Sequence, residues 1–198
     1  MHTTLLSSLL LISTSLFGAE TIDAFGMKWN VPFGAEWSYQ NGILSMLTAR
    51  PQESPRYPVQ YALLSDGSFE QVSIECELKR EGGSMILVYA WRDATHFNYA
   101  HLSVDSPEKQ IVHNGIFHVY GGERVRISKG IGAGALPSRE WTKVKLDYDG
   151  KSGRVNVTVD GKTYPSLEGV DLSLGAGKVG LGSFFETGEF RNIKITGK

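Results

Sequence analysis

The sequence predicts an all-β protein, a sandwich of two antiparallel sheets. Three observations carry that prediction. Helix breakers are dense: 23 glycines and 7 prolines fall among 198 residues. Each interior Gly costs a helix about 1 kcal/mol and each Pro about 3, so long helices are excluded. Strand periodicity is clear: Val72, Ile74, Cys76 and Leu78 alternate with Gln71, Ser73, Glu75, Glu77 and Lys79. Period 2 puts one apolar and one wet face on the segment. Turn signals recur about every 8–12 residues, the spacing of a sandwich or barrel.

The elements follow in order. Leu5 to Phe17 is apolar or hydroxylic, Gly18-Ala19 follows, and the first charged side chain is Glu20. Residues 1–19 read as a secretory signal cleaved near Ala19. The run is shorter than the roughly 20 residues a membrane span needs, so no transmembrane anchor is expected. Residues 20–198 then form a single domain.

Trp37 to Leu47 contains Asn41-Gly42 between apolar runs. Asn-Gly tolerates φ > 0 at both positions, so a hairpin is predicted. Arg50 to Pro58 holds three prolines and reads as an exposed loop. Phe69 to Arg80 is the alternating strand, and Gly82-Gly83 turns the chain. Ser84 to Trp91 is nearly all apolar, as in a strand covered on both faces. Arg92 to Thr95 is a turn, and His96 to Val104 the returning strand. Another turn spans Asp105 to Gln110. Ile111 to Tyr120 is strand, interrupted at Asn114-Gly115. Glu123 to Ile127 alternates charged and apolar residues, as an edge or surface strand does.

Trp141 to Tyr148 and Arg154 to Val159 alternate again, around a turn at Asp149 to Gly153. Asp160-Gly161 turns the chain into Lys162 to Tyr164. Gly175 to Phe185 and Glu189 to Thr196 are the closing strands, the last expected to pair near the N-terminal strand. The glycines of Gly130 to Gly134 lack the third Gly and the helix of a phosphate loop, so a flexible loop is expected.

Charge excludes one class of function. Lys+Arg is 20 and Asp+Glu is 21, for a formal net charge of −1. No basic field is present to hold nucleic-acid phosphates. Cys76 is the only cysteine, which rules out an intrachain disulfide. An exported chain without disulfides suits a bacterium, and the expected location is the periplasm or the cell exterior.

An ordered set of motifs carries a resemblance. Trp37 to Leu44 fits W-x-x-x-(D/N)-G-x-L. Phe69 to Lys79 fits F-x-x-x-x-(I/L)-E-x-E-x-K/R. Glu140 to Leu146 fits E-W-x-x-(V/Y)-x-(L/I), and Val157 to Lys162 fits V-x-V-(D/N)-G-x. Gly177 to Leu181 and Glu189 to Ile195 fit G-x-(I/V)-G-L and x-F-(R/D)-N-(I/V)-x-(I/V). Together they resemble the concanavalin A-like lectin/glucanase superfamily, a jelly-roll sandwich of two antiparallel sheets. The nearest branches are the bacterial 3-keto-disaccharide hydrolases, loosely labelled family 16 glycoside hydrolase-like, and laminin G-like domains. The hydrolase pattern N-S-G, apolar strand, Arg is departed from: Gly83-Ser84 lacks the Asn, and Arg92 fits loosely. The E-x-D-x-x-E signature of laminarinase-type glycosidases is also missing. Structural calcium is common in the superfamily, yet no Asp/Asn cluster here pins its ligands. No other cofactor is implied.

The polar residues concentrate between Arg92 and His118. Phe97, Tyr99, His101 and Ser103 share one strand face, and His113 is a cross-strand candidate. Trp91, Arg92, Asn98, Asn114 and His118 complete the constellation. On the concave sheet this set suits an oligo- or polysaccharide: rings stack on sugar C–H faces, while His, Asn and Arg bond hydroxyls. The catalytic version assigns acid–base roles to Tyr99, His101 and His113, as in a hydrolase or a polysaccharide lyase. The other versions are satisfied sheet residues and a noncatalytic laminin G-like adhesion or scaffold module. No metal ligand set is assigned, because 113 and 118 differ by an odd number and point to opposite faces of a regular strand.

Overall fold

A computed structural model describes residues 20–105 and 112–198. The proposed signal segment and most of the turn after Asp105 lie outside the described residues. The strands are β1 (Glu20–Ala24), β2 (Met27–Val31), β3 (Trp37–Gln40), β4 (Ile43–Met46), β5 (Gln60–Leu64), β6 (Gln71–Arg80), β7 (Ser84–Asp93) and β8 (His96–Ser103). They continue with β9 (Gly115–Tyr120), β10 (Val125–Arg126), β11 (Thr142–Asp149), β12 (Arg154–Val159), β13 (Lys162–Val170), β14 (Lys178–Ser183) and β15 (Gly188–Gly197). They form two sheets, ordered β1-β2-β5-β14-β7-β8-β9-β10 and β13-β12-β11-β6-β15-β4-β3. All pairings between these strands are antiparallel.

Local chemistry explains the hairpins. Asn41-Gly42 (φ 52° and 75°) joins β3 to β4, and Asp160-Gly161 (49° and 74°) joins β12 to β13. Two consecutive positive φ angles match the twist of the flanking strands. Phe25-Gly26 (57° and 71°) does the same between β1 and β2. A Phe in that position carries no turn signal, so sequence reasoning passes over β1 and β2. It also passes over β5, whose five residues are all buried and do not alternate.

The sandwich core lies between the sheets. Leu87, Tyr89, Ala100, Leu102 and Leu181 face Ile74, Leu78, Val144, Leu146, Val157 and Phe190. Cys76 is buried there as an apolar side chain.

The last strand pairs with the first strand read from the sequence, as expected: β15 lies between β6 and β4, the second strand of the Trp37–Leu47 hairpin. One expectation changes. Strand β9 begins only at Gly115, because Asn114 turns the chain with φ 46°. The glycine segment 130–134 is a loop, as expected, and it packs closely at two of its glycines. A Cβ on Gly130 would strike the Pro165 carbonyl, and one on Gly134 would lie 2.8 Å from the Val104 carbonyl carbon.

Candidate functional site

The eight-stranded sheet buries apolar residues on its outer face as well. Tyr61, Leu63, Ile86, Val88, Phe97, Tyr99, Phe117, Val119 and Phe184 form a second cluster there. This is why β7 reads as apolar on both faces. Strand β14 contributes Gly180 and Gly182, opposite Val88 and Ile86 on β7.

Tyr99 and His101 lie on this outer face, but beneath its surface, 0% and 2% exposed. Tyr99 stacks on Phe117 with ring centroids 5.3 Å apart, and His101 stacks on Phe184 at 5.5 Å. His113 approaches His101 edge-on at 5.5 Å, and its Nδ1 meets Asp105 Oδ2 at 2.8 Å.

Two arginines from distant loops cover these rings. The Arg124 guanidinium sits 4.3 Å from the Phe184 centroid and 4.9 Å from Phe117. Its Nη1 contacts Tyr99 Oη and His101 Nδ1, each at 3.4 Å. Arg56 lies 5.8 Å from Phe184. The Arg124 amide donates to the Arg56 carbonyl at 3.3 Å, tying the two loops together. Half-buried Tyr57, Trp91 and Phe185 complete the cover. Trp91 Nε1 donates to Tyr61 Oη at 3.0 Å.

Burial, then the charges of Arg124, His113, Arg56 and Arg126, holds the His101 imidazole well below its ordinary pKa. It is neutral at physiological pH, with Nδ1 accepting toward Arg124 and the proton on Nε2. That Nε2 is buried with no partner among the described residues. Burial also lowers His113, partly offset by Asp105. Burial raises the Tyr99 hydroxyl despite Arg124.

The other site candidates lie elsewhere. Asn98 and His118 alternate with Phe97, Tyr99, Phe117 and Val119, and so point to the inner face. There Asn98 Nδ2 donates to Asp171 Oδ2 at 2.8 Å, and His118 Nδ1 meets the same oxygen at 2.8 Å. Asn114 is fully buried. Its Oδ1 accepts from the Ser103 and Ala135 amides, and its Nδ2 donates to Ser166. Arg92 donates twice to the Leu174 carbonyl. These four residues hold loops to the sandwich.

Sequence reasoning missed Arg56, Tyr57, Arg124 and Phe184. Arg124 sits just before the correctly read edge strand β10, but nothing local says which face it covers. Arg56 lies in the proline-rich loop, whose landing place is set by tertiary packing.

A groove of about 1360 Å³ opens over the seven-stranded sheet. Thr196, Ser73, Asp147, Asn156 and Glu168 run across it in register on β15, β6, β11, β12 and β13. That row offers hydrogen-bonding groups but no ring for a sugar to stack on. Among the described residues no group of three His, Cys, Asp or Glu is arranged to hold a metal ion. No described helix is long and apolar enough to cross a membrane.

Two packed antiparallel sheets in this order define the fold class: an all-β jelly-roll sandwich. Among solved structures, the chain resembles the carbohydrate-binding module CBM66 of Bacillus subtilis. The TM-score is 0.64 at 16% identity, over 84% of this chain and 94% of that one. It also resembles a Parabacteroides distasonis protein provisionally assigned as a glycosyl hydrolase, with TM-score 0.57, 16% identity, and 86% and 99% of the two chains covered. A GH43 protein of Bacillus licheniformis matches with TM-score 0.61 at 9% identity, over 90% of this chain and 38% of the other. At these identities the likeness is one of fold. No family model matches the chain, and no curated protein matches it.

Proposed function

We propose that the protein binds an oligo- or polysaccharide on the outer face of the eight-stranded sheet. The observation that carries this reading is the surface made by Tyr57, Trp91 and Phe185 beside Arg56 and Arg124. Flat rings stack on the apolar faces of sugars, and guanidinium N–H groups bond their oxygens. The Bacillus subtilis neighbour, itself a carbohydrate-binding module, adds support from the fold.

The reading is of binding without turnover. Tyr99 and His101 are buried, and a general acid or base must come within hydrogen-bond reach of its substrate. The proposal includes export to the periplasm or the cell exterior, on the strength of the apolar run from Leu5 to Phe17. Mass spectrometry of the exported protein should then find Glu20 as its first residue.

A glycan array tests the binding. The wild type should retain at least one saccharide. Tyr57→Ala or Trp91→Ala should weaken that binding at least tenfold, while Asn156→Ala in the opposite groove leaves it unchanged. Reducing-end and 235 nm unsaturation assays on the bound glycan should stay blank. Silence across the array would remove the carbohydrate reading.

A further inference from the structure

We propose that the saccharide bound on this face is anionic, its carboxylate or sulfate held by Arg124 with help from Arg56. This rests on the carbohydrate reading above and names the ligand class.

The argument starts from how the other partly buried arginines are satisfied. Arg50 pairs with Glu36 at 2.6 Å, and Arg191 with Glu77 at 2.6 Å. Arg80 donates to three backbone carbonyls, and Arg126 to four. Arg124 is different. Its polar contacts are a phenol and an imidazole nitrogen, both at 3.4 Å, the long limit of a hydrogen bond. A guanidinium carries five N–H donors in a planar fork that matches a carboxylate or sulfate edge. Among the described residues, most of that fork is unused.

Its surroundings strengthen the case. The Arg124 guanidinium lies within cation–π distance of both Phe117 and Phe184, so the rings shield it from water on one side. Among the described residues, neither Arg124 nor Arg56 forms an ion pair with a carboxylate. Both guanidinium groups bear on His101 and His113, which places two positive charges over one patch. The facing acid there, Asp105, is engaged by His113. Two loop-borne cations, tied by the Arg124 amide to the Arg56 carbonyl, thus cap an aromatic surface, and among the described residues neither is paired with a carboxylate. An anion at that position gains charge-assisted bonds in a partly desolvated setting.

Isothermal titration calorimetry of the full chain with three oligosaccharides tests this. The probes are an oligogalacturonide, a sulfated galactan fragment and a neutral galactan fragment of equal length. At least one anionic probe should bind tenfold or more tighter than the neutral one. Its affinity should fall at least threefold between 50 and 500 mM salt. Arg124→Gln should erase the preference, Arg124→Lys should keep part of it, and Arg56→Gln at the exposed loop should reduce it. Whichever anionic probe wins separates carboxylate from sulfate recognition. Equal binding of all three probes, unchanged in Arg124→Gln, would overturn the anion assignment and leave the carbohydrate reading standing. No binding of these probes, together with a silent glycan array, would remove both.

Discussion

His101 shows how one side chain can couple site architecture to stability. Buried between Phe184, Tyr99 and His113, it stays neutral in the folded protein at pH values where the unfolded chain takes up a proton. The unfolded imidazole titrates near pH 6.5. Above that value neither state is charged, and the stability contribution is fully present. As pH falls below it, the unfolded state binds the proton first and the native state loses ground. One such histidine predicts a loss of at most about 2 kcal/mol between pH 7.5 and 5. His113, lowered mainly by burial, adds a smaller loss of the same sign. Urea denaturation across this range should show the decline, and His101→Gln should flatten most of it. An equally steep decline in that variant would mean that the pH dependence comes from other groups.

At the scale of elements, β14 makes the outer aromatic layer fit. It runs between β5 and β7, and Gly182 stands opposite Tyr61 on one side and Ile86 on the other. A Cβ on Gly182 would strike the Gln60 carbonyl and lie 2.6 Å from Tyr61 Cα. Neither neighbour is a flexible tip, so the strand itself would have to shift. Gly182→Ala should therefore cost about 2–3 kcal/mol. Gly122, with open space around its would-be Cβ, should accept Ala within about 0.5 kcal/mol. Chemical denaturation of both variants checks the contrast. The sequence already marked Gly180 and Gly182 as part of a closing strand, because G-x-(I/V)-G-L carries its own signature. Strand β6 and the Asn41-Gly42 hairpin were legible for the same reason: their signals are local. The candidate site was legible only in part. Alternation put Tyr99 and His101 on one face, yet it could not reveal that Arg124 and the loop of Arg56 would cover them. The same parity sends Asn98 and His118 to the other face, where Asp171 receives them.

The whole molecule depends on one late strand. β15 comes last in the chain but lies inside the seven-stranded sheet, with β6 on one side and β4 on the other. Arg191 on β15 bonds Glu77 across 114 residues of sequence, and Phe190 packs fully buried in the core. The resemblance places this strand beside the N-terminal hairpin, but local pattern alone cannot name β6 as its other partner. β1, by contrast, is an edge strand whose backbone pairs, among the described strands, with β2 alone. Both ends of the described residues thus belong to sheets, with unequal consequences. Removing residues 188–198 would leave β6 and β4 with facing rows of unpaired N–H and C=O groups and open the core at Phe190. An unpaired backbone group costs about 1–3 kcal/mol when buried, and several lost together exceed the stability of a typical domain. That truncation should abolish cooperative thermal unfolding and near-UV circular dichroism. Removing residues 1–24 exposes one edge and takes away the Ala24 carbonyl that accepts from Trp29 Nε1. This second protein should still unfold cooperatively, at a lower midpoint, and should keep its saccharide binding, since no residue of the outer aromatic face is lost. Cooperative unfolding of the C-terminal truncation would show that the two sheets hold together without β15 as their central tie.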